Sequence, residues 1–194
     1  MAIGFLSTAM GRITVCGVLV LLAPASLHGD EPSPVRTEST KLRALLTEAT
    51  RQSPTIAALV DRIRASNVIA HIECQHFQSF ILKGRTFFLS AKATVRYVRV
   101  QIDCMQSRQE LVEIIGHELQ HVSEIAAAAD VVDRRSFAHL LNAIGRPNGG
   151  AENEGYETEA ALLAEEQVGR EVTGRGGSST QLVRLTGLTD TPSH

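Results

Sequence analysis

The chain has 194 residues, of which 43% are apolar and 21% are charged, a composition that predicts one globular domain with a hydrophobic core. The formal net charge is -2, and basic and acidic residues are interspersed along the chain. Because no broad electropositive surface results, the sequence predicts no nucleic-acid partner.

The start of the chain is typical of a secretory signal peptide. The first 29 residues contain no acidic residue, and Arg12 is their single Lys or Arg. The apolar run over residues 13–23 is shorter than the roughly 20 residues that span a bilayer. We therefore expect residues 1–29 to be removed and the mature protein to be exported, periplasmic or secreted, without a membrane span; an uncleaved, membrane-associated start is the alternative. Residues 30–38, rich in proline and small polar residues, predict a flexible leader.

Loss of a signal peptide would leave two cysteines, Cys74 and Cys104. In an oxidising compartment they could form one disulfide. Two separate buried thiols are equally compatible with the sequence, because cysteine also packs as a small apolar residue. The sequence leaves both arrangements open.

Two amphipathic helices are predicted at the start of the domain, which we place over residues 39–172. In the first, over residues 41–51, the residues at helical spacing are Leu42, Leu45, Leu46 and Ala49. The second begins at Ser53-Pro54, since a serine N-cap followed by proline is a typical helix start. Its apolar stripe consists of Ile56, Leu59, Val60 and Ile63. Both helices are interpreted as scaffold.

Residues 68–104 are rich in β-branched and aromatic residues and predict a small antiparallel sheet. The clearest strand spans residues 95–102, where apolar and polar residues alternate. A further strand is predicted over residues 77–82, and Lys-Gly-Arg at 83–85 suits a turn between two strands. With the helices on either side in sequence, this pattern predicts an α+β fold.

Three further helices are predicted over residues 107–128, 134–144 and 156–170. The segment 145–155 contains Pro147 and three successive turn-forming residues, and it is interpreted as a loop. Residues 173–194 begin with a Gly- and Ser-rich stretch and are predicted to be a disordered tail.

The helix over residues 107–128 contains the sequence Gly116-His117-Glu118-Leu119-Gln120-His121. His117 and His121 are four residues apart, which on a helix places them about 40° apart on one face. This H-E-x-x-H spacing allows both imidazoles to bind one zinc ion. The two histidines are therefore candidate metal ligands.

Glu118 lies near the middle of the apolar stripe of the same helix, which consists of Leu111, Ile114, Ile115, Val122, Ile125, Ala126 and Ala129. A buried carboxylate without a partner is costly, so Glu118 is expected to meet a positive group or a water molecule at the metal. The alternative, two surface histidines beside a glutamate in a salt bridge, leaves the inward direction of Glu118 unexplained.

A catalytic zinc ion usually has three protein ligands and one open position, so a third ligand is required. We expect it to be Glu157, which on the last predicted helix shares a face with Ala160, Ala161, Ala164 and Val168. The small alanines would let this helix approach the histidine helix closely. The alternative interpretation of Glu157 is an acidic helix start favoured by the helix dipole.

An H-E-x-x-H helix followed by a ligand glutamate on a later helix resembles the zincin metallopeptidases of the gluzincin type, here over residues 95–170. The Gly-His-Glu-Leu-Gln-His core and the Glu-Thr-x-Ala-Ala segment at 157–161 also resemble small exported bacterial proteins. The resemblance implies a zincin-like fold, with a small antiparallel sheet packed against a central metal-binding helix and further helices.

The resemblance further implies a zinc-dependent hydrolase that acts on a peptide or protein substrate. Zn²⁺ would be held by His117, His121 and Glu157. Glu118 would activate the attacking water and pass its proton to the leaving amine. The strand at 97–103 would edge the cleft and pair with an extended substrate. The family often has an aspartate where this chain has Ala161, so the hydrogen-bond partner of a ligand histidine is expected elsewhere.

Other interpretations remain open. The metal could hold the helices together in a non-catalytic binding or structural protein. Glu118-x-x-His121 could be half of a two-metal carboxylate site, although the only matching segment, Glu73 to His76, is strand-like. His71 and His76 are isolated histidines that are expected to pack or to face water. No oxyanion-stabilising residue is assigned, and the candidates are Tyr97, His139 and Tyr156.

Overall fold

The computed structural model describes residues 33–78, 81–148 and 155–174. The predicted signal peptide and all but the first two residues of the predicted tail lie outside the described residues. Within these ranges, none of the helices combines the length and the apolar character that crossing a membrane requires.

Five helices are present in the described residues, and they follow the predicted pattern closely. Three of them, α1, α3 and α4, begin and end within one residue of their predictions. The predicted capping of α2 is confirmed, because the Ser53 side chain accepts a hydrogen bond from the Ile56 amide and Pro54 is the first helical residue. The helices are α1 (Thr40–Gln52), α2 (Pro54–Arg64), α3 (Arg108–Ala127), α4 (Arg134–Ile144) and α5 (Glu159–Val172).

The main sheet is mixed, which corrects the prediction of an antiparallel sheet. Its strand order is β1-β2-β4-β3; β1 and β4 run parallel to β2, and only the β3–β4 pair is antiparallel. Alternation along a strand predicts which face is buried but carries no information about the neighbouring strand. The strands are β1 (Val35–Arg36), β2 (Val68–Cys74), β3 (Gly84–Lys92) and β4 (Val95–Ile102), and β5 (Arg146–Asn148) pairs with β6 (Gly155–Glu157) in a second, two-stranded sheet.

Two local predictions about this sheet are wrong. The described residues of 77–82 form no strand, and residues 83–85 are not a turn, because β3 begins at Gly84. The reversal between β3 and β4 is instead made by residues 93–94, where Ala93 has a positive φ of 50°. No glycine or proline marks this turn, so the sequence offered no signal for it.

The predicted flexible leader is also corrected in part. Val35 and Arg36 form β1 and pair with Ala70 and His71 of β2, and Val35 is buried. A two-residue strand is too short to produce a periodic pattern, so its sequence resembles a leader.

Of the two arrangements left open for the cysteines, the structure has a disulfide, which joins Cys74 at the end of β2 to Cys104 after β4.

The central helix of the domain is α3, which contacts the sheet on one side and α2 and α5 on the other. Gly116 lies at the α3–α5 contact, where an added Cβ atom would come within 2.7 Å of Val168 Cγ2. The far end of α5 is held by Glu171, whose carboxylate accepts hydrogen bonds from the Ser53 and Thr55 side chains at the start of α2. α5 is thus packed against α3 at Gly116 and joined to α2 at its C-terminal end.

A buried arginine of β4 caps the C-terminus of α3. Arg96 of β4 is only 4% exposed, and its guanidinium donates to the carbonyls of Ile125, Ala126 and Ala128 at distances of 2.7, 3.0 and 2.6 Å. These carbonyls are at the helix C-terminus, where the regular hydrogen bonds of the helix end and where a positive charge is favoured; the Ile125 and Ala128 carbonyls also accept longer bonds of 3.3 and 3.2 Å from the Ala128 and Val131 amides. Arg96 thereby links β4 to the end of the helix that contains both histidines.

Replacing Arg96 with methionine is expected to lower the free energy of unfolding by about 2–4 kcal/mol, because three carbonyls at the end of α3 lose a charged hydrogen-bond donor. The matched control is Arg99→Met, since Arg99 is exposed on the same strand and forms a long ion pair of 3.6 Å with Glu73. We expect the control to change stability by less than about 0.5 kcal/mol. Urea unfolding measures both, and equal losses would contradict the assigned role of Arg96.

Candidate metal centre

The two histidines lie on the middle of α3, which begins with a capping box formed by Ser107 and Glu110. The ring centroids of His117 and His121 are 5.0 Å apart. Both side chains are largely buried, with 12% and 9% of their surface exposed. The helix therefore presents both imidazoles on one face, as their spacing predicts.

Glu157 reaches the histidines, but from a different element than predicted. It is the last residue of β6, and α5 begins only at Glu159 with Thr158 as its N-cap. The expected helix start at 156 is therefore wrong, because Thr158 has an extended backbone and caps the helix that follows. The predicted close face of α5 is confirmed in part, since Ala161, Ala164 and Val168 are buried, whereas Ala160 is exposed.

The structure brings the three expected ligands together. Glu157 Oε1 lies 3.2 Å from His117 Nε2 and 3.6 Å from His121 Nε2. One donor atom from each of the three side chains lies within 4.8 Å of the others, and no other group of His, Cys, Asp or Glu in the described residues has such an arrangement. Two imidazole nitrogens and one carboxylate oxygen are a donor set suited to Zn²⁺ and to related divalent metals.

The second nitrogen of each histidine is bonded to a carboxylate. His117 Nδ1 lies 2.9 Å from Glu165 Oε2, and His121 Nδ1 lies 3.0 Å from Glu124 Oε2. Because carboxylates accept hydrogen bonds, each Nδ1–H is the donor, and each Nε2 faces Glu157. Such outer carboxylates orient ligand imidazoles in metal sites. Glu165 and Glu124 thus provide the hydrogen bonds to the histidines that Ala161 cannot provide.

The charges of this group are strongly coupled. Burial lowers the pKa of His117, but its hydrogen bonds with Glu157 and Glu165 outweigh this effect and raise the pKa to about 10. Burial also lowers the pKa of His121, and hydrogen bonds with Glu124 and Glu157 raise it to about 9. Burial raises the pKa of Glu157, whereas its hydrogen bonds with the two histidines lower it to about 2. Without a metal, both imidazoles are therefore protonated at neutral pH.

Glu118 is buried, as its place on the apolar stripe predicts, with 3% of its surface exposed. Its Oε2 atom accepts a hydrogen bond of 2.6 Å from Thr86 Oγ1 on β3. The backbone of β3 approaches it closely at Gly84, where an added Cβ atom would lie 2.4 Å from Glu118 Oε1. Burial raises the pKa of the Glu118 carboxyl, while the nearby histidines lower it. Glu118 thus lies between the imidazoles and the edge strand of the sheet.

The strand expected to edge the cleft is also corrected. Residues 97–103 belong mainly to β4, which lies between β2 and β3 and has no free edge. The edge strand beside Glu118 is β3, and no strand in the described part of the chain pairs with its other side. The sequence could not give this order, because β3 and β4 are consecutive in the chain and either could form the edge.

The remaining candidates from the sequence lie outside the His-His-Glu group. His76 and His139 are exposed, and His71 is half-buried on β2. The Tyr156 hydroxyl donates a hydrogen bond to Asn142. Glu73 and His76 offer no second metal group among the residues that the structure describes. The structure therefore gives no support to a two-metal site.

Four polar residues of the site were not identified from the sequence: Thr86, Glu124, Thr158 and Glu165. Glu124 could have been found, because it follows His121 by three residues on the same helix face. Thr158 could have been found as the N-cap of α5. Thr86 and Glu165 come from other elements, and only their packing against α3 brings them to the site.

Comparisons with models of protein families, with curated proteins and with solved structures found no match for this chain. The likeness to zincins therefore remains an expectation from the motif.

Zinc binding at pH 7 is expected to release about two protons per ion, because both Nε2 atoms must lose a proton before they can bind. Since the pKa values of the imidazoles are about 10 and about 9, the apparent zinc affinity should rise about a hundredfold per pH unit between about pH 6 and pH 8. Titration calorimetry in two buffers of different ionisation enthalpy counts the protons. Release of fewer than one proton would mean that the imidazoles are neutral without the metal.

Proposed function

We propose that the protein is a zinc-dependent hydrolase, a metallopeptidase, in which His117, His121 and Glu157 hold the ion and Glu118 is the acid/base carboxylate. The observation that carries the proposal is the position of Glu118. It is buried beside the three donor side chains and yet is not one of them, so a carboxylate remains for proton transfer.

In the proposed reaction, the metal ion, Glu118 and Thr86 each have a separate role. When bound, the ion would supply a Lewis acid that makes water nucleophilic near neutral pH and polarises the substrate carbonyl. Glu118 accepts a proton from the attacking water and transfers it to the nitrogen of the leaving amine, so the C–N bond breaks as the new C–O bond is retained. The hydrogen bond from Thr86 holds one carboxylate oxygen of Glu118 in place. In the metal-free protein, burial raises the pKa of the Glu118 carboxyl, so this group holds a proton more readily than a carboxyl group in water does.

Among the described residues, no strand pairs with the outer edge of β3, and this supports a peptide as the substrate class. An extended peptide can add to an exposed strand by backbone hydrogen bonds. Because Gly84 and Thr86 of β3 contact Glu118, a peptide paired with this edge would run past the acid/base carboxylate. The zincin-like fold and the peptidase activity are parts of this proposal that rest on the motif.

We also propose that the protein acts outside the cytoplasm. The disulfide between Cys74 and Cys104 supports this location, because disulfides persist in oxidising compartments and are rare in the cytosol. Export signalled by residues 1–29 would bring the chain to such a compartment.

The first test is Glu118→Gln, which keeps the shape of the side chain and removes its capacity to accept a proton. The purified wild-type protein should contain one zinc per chain, and the variant should keep the zinc while hydrolysis of casein or of a peptide library falls at least about a hundredfold. Metal analysis and peptide cleavage measure the two properties separately.

The control is Glu113→Gln, which changes a half-buried glutamate on the same helix that is bonded to Gln109. It should leave both zinc content and hydrolysis unchanged. A wild-type protein that folds without zinc and binds none would contradict the proposal. One zinc per chain with no hydrolysis, and unfolding when zinc is removed, would instead favour the non-catalytic protein stabilised by zinc.

A second prediction concerns the close approach of β3. Gly84→Ala places a methyl group against the Glu118 carboxyl, and we expect a loss of hydrolysis of about a hundredfold with unchanged zinc content, because a catalytic group shifted by about 1 Å loses this much. The control is Gly169→Ala, whose methyl group would first meet the end of the Glu113 side chain. Full activity in Gly84→Ala would mean that the position of Glu118 is not critical.

A further inference from the structure

Thr158 lies between β6 and α5 and is 2% exposed. Its hydroxyl oxygen accepts a hydrogen bond of 3.1 Å from the Ala161 amide, which caps α5. The same hydroxyl donates a hydrogen bond of 2.8 Å to Glu124 Oε1. The backbone N–H of Thr158 donates to Glu157 Oε1 at 3.0 Å. One buried residue thus contacts two carboxylates of the candidate site.

These contacts close a ring around His121. Glu124 is bonded through its other oxygen, Oε2, to His121 Nδ1, and Glu157 Oε1 faces His121 Nε2. Both nitrogens of the imidazole therefore face carboxylates that are themselves bonded to Thr158. Displacement of Thr158 would therefore move two side chains. One is Glu157, a proposed ligand, and the other is Glu124, which orients the second proposed ligand, His121.

Helix capping alone does not require a threonine at this position. Aspartate and asparagine cap helices equally well, but a charged aspartate has no proton to donate to Glu124 and would repel it. A hydroxyl group can accept from the Ala161 amide and donate to the carboxylate at once. The chemistry of the position therefore fits a double role, in capping and in orientation.

We propose that Thr158 is a positioning residue that sets the placement of Glu157 and, through Glu124, of His121. The inference rests on the proposed function, since it assumes that both side chains bind a metal ion. According to this inference, loss of the Thr158 hydroxyl weakens metal binding by more than the loss of a helix cap alone would.

The test compares zinc affinities of the folded variants, measured by competition with a chromophoric chelator. Thr158→Val keeps the branched shape and removes the hydroxyl, and we expect it to weaken zinc binding about tenfold or more, the usual effect of losing an outer hydrogen bond. Thr158→Ser retains the hydroxyl and should bind zinc within about twofold of the wild type. The visible spectrum of bound Co²⁺ should change in Thr158→Val and not in Thr158→Ser, since it reports ligand geometry.

Ser39→Ala is the matched control for capping. Ser39 caps α1 through the Leu42 amide and does not contact the site, so its loss should lower stability without changing zinc affinity. If zinc affinity in Thr158→Val stays within about twofold of the wild type, or falls equally in Ser39→Ala, the inference is overturned.

A double-mutant cycle tests whether Thr158 acts through Glu124, and it also serves if Thr158→Val folds poorly, because it can be built on Thr158→Ala. Combined with Glu124→Gln, loss of the hydroxyl should weaken zinc binding less than it does alone. Full additivity would contradict the route through Glu124. All these measurements need no substrate, so a protein that binds zinc but cleaves nothing contradicts the proposed function and leaves this inference standing.

Discussion

The candidate site depends on how closely α5 approaches α3. Gly116, the residue before His117, lies at this contact, and a Cβ atom there would come within 2.7 Å of Val168 Cγ2. Ala161 and Ala164 are buried on the facing side, so no large side chain separates the two backbones. Glu157, just before α5, and Glu165, in the middle of α5, can therefore reach the imidazoles. Thr158 reaches Glu124 of α3 in the same way.

The same packing concentrates charge in the interior, which is costly unless the charges compensate each other. In the metal-free protein the compensation comes from the two imidazoles, whose pKa values of about 10 and about 9 keep them protonated. A divalent ion that displaces these two protons would leave the net charge of the group unchanged. The carboxylates that stabilise the protonated pair are thus already arranged for an ion of charge +2, and binding requires proton exchange rather than a new electrostatic environment.

The sequence predicted those features that depend on local periodicity and on capping. The bounds of α3, the inward direction of Glu118 and the pairing of His117 with His121 follow from helical geometry alone. The strand order was not predictable, because alternation defines faces and not neighbours. Glu157 was correctly expected near the histidines but was placed on a helix, since the capping role of Thr158 was overlooked. Thr86 and Glu165 had no local signal, because only tertiary packing brings them to α3.

Glu118 is the residue on which the proposed hydrolytic role depends, as opposed to a purely structural metal site. A structural ion needs ligands and the groups that orient them, and here those roles fall to other side chains, among them Glu124 and Glu165. Burying one more carboxylate beside this group has an electrostatic cost, which the hydrogen bond from Thr86 offsets only in part. A site that merely joined α3 to α5 would be more stable with an apolar residue at this position. In the proposed function, this buried carboxylate beside the imidazoles and β3 serves proton transfer, which accounts for its presence in an otherwise apolar stripe.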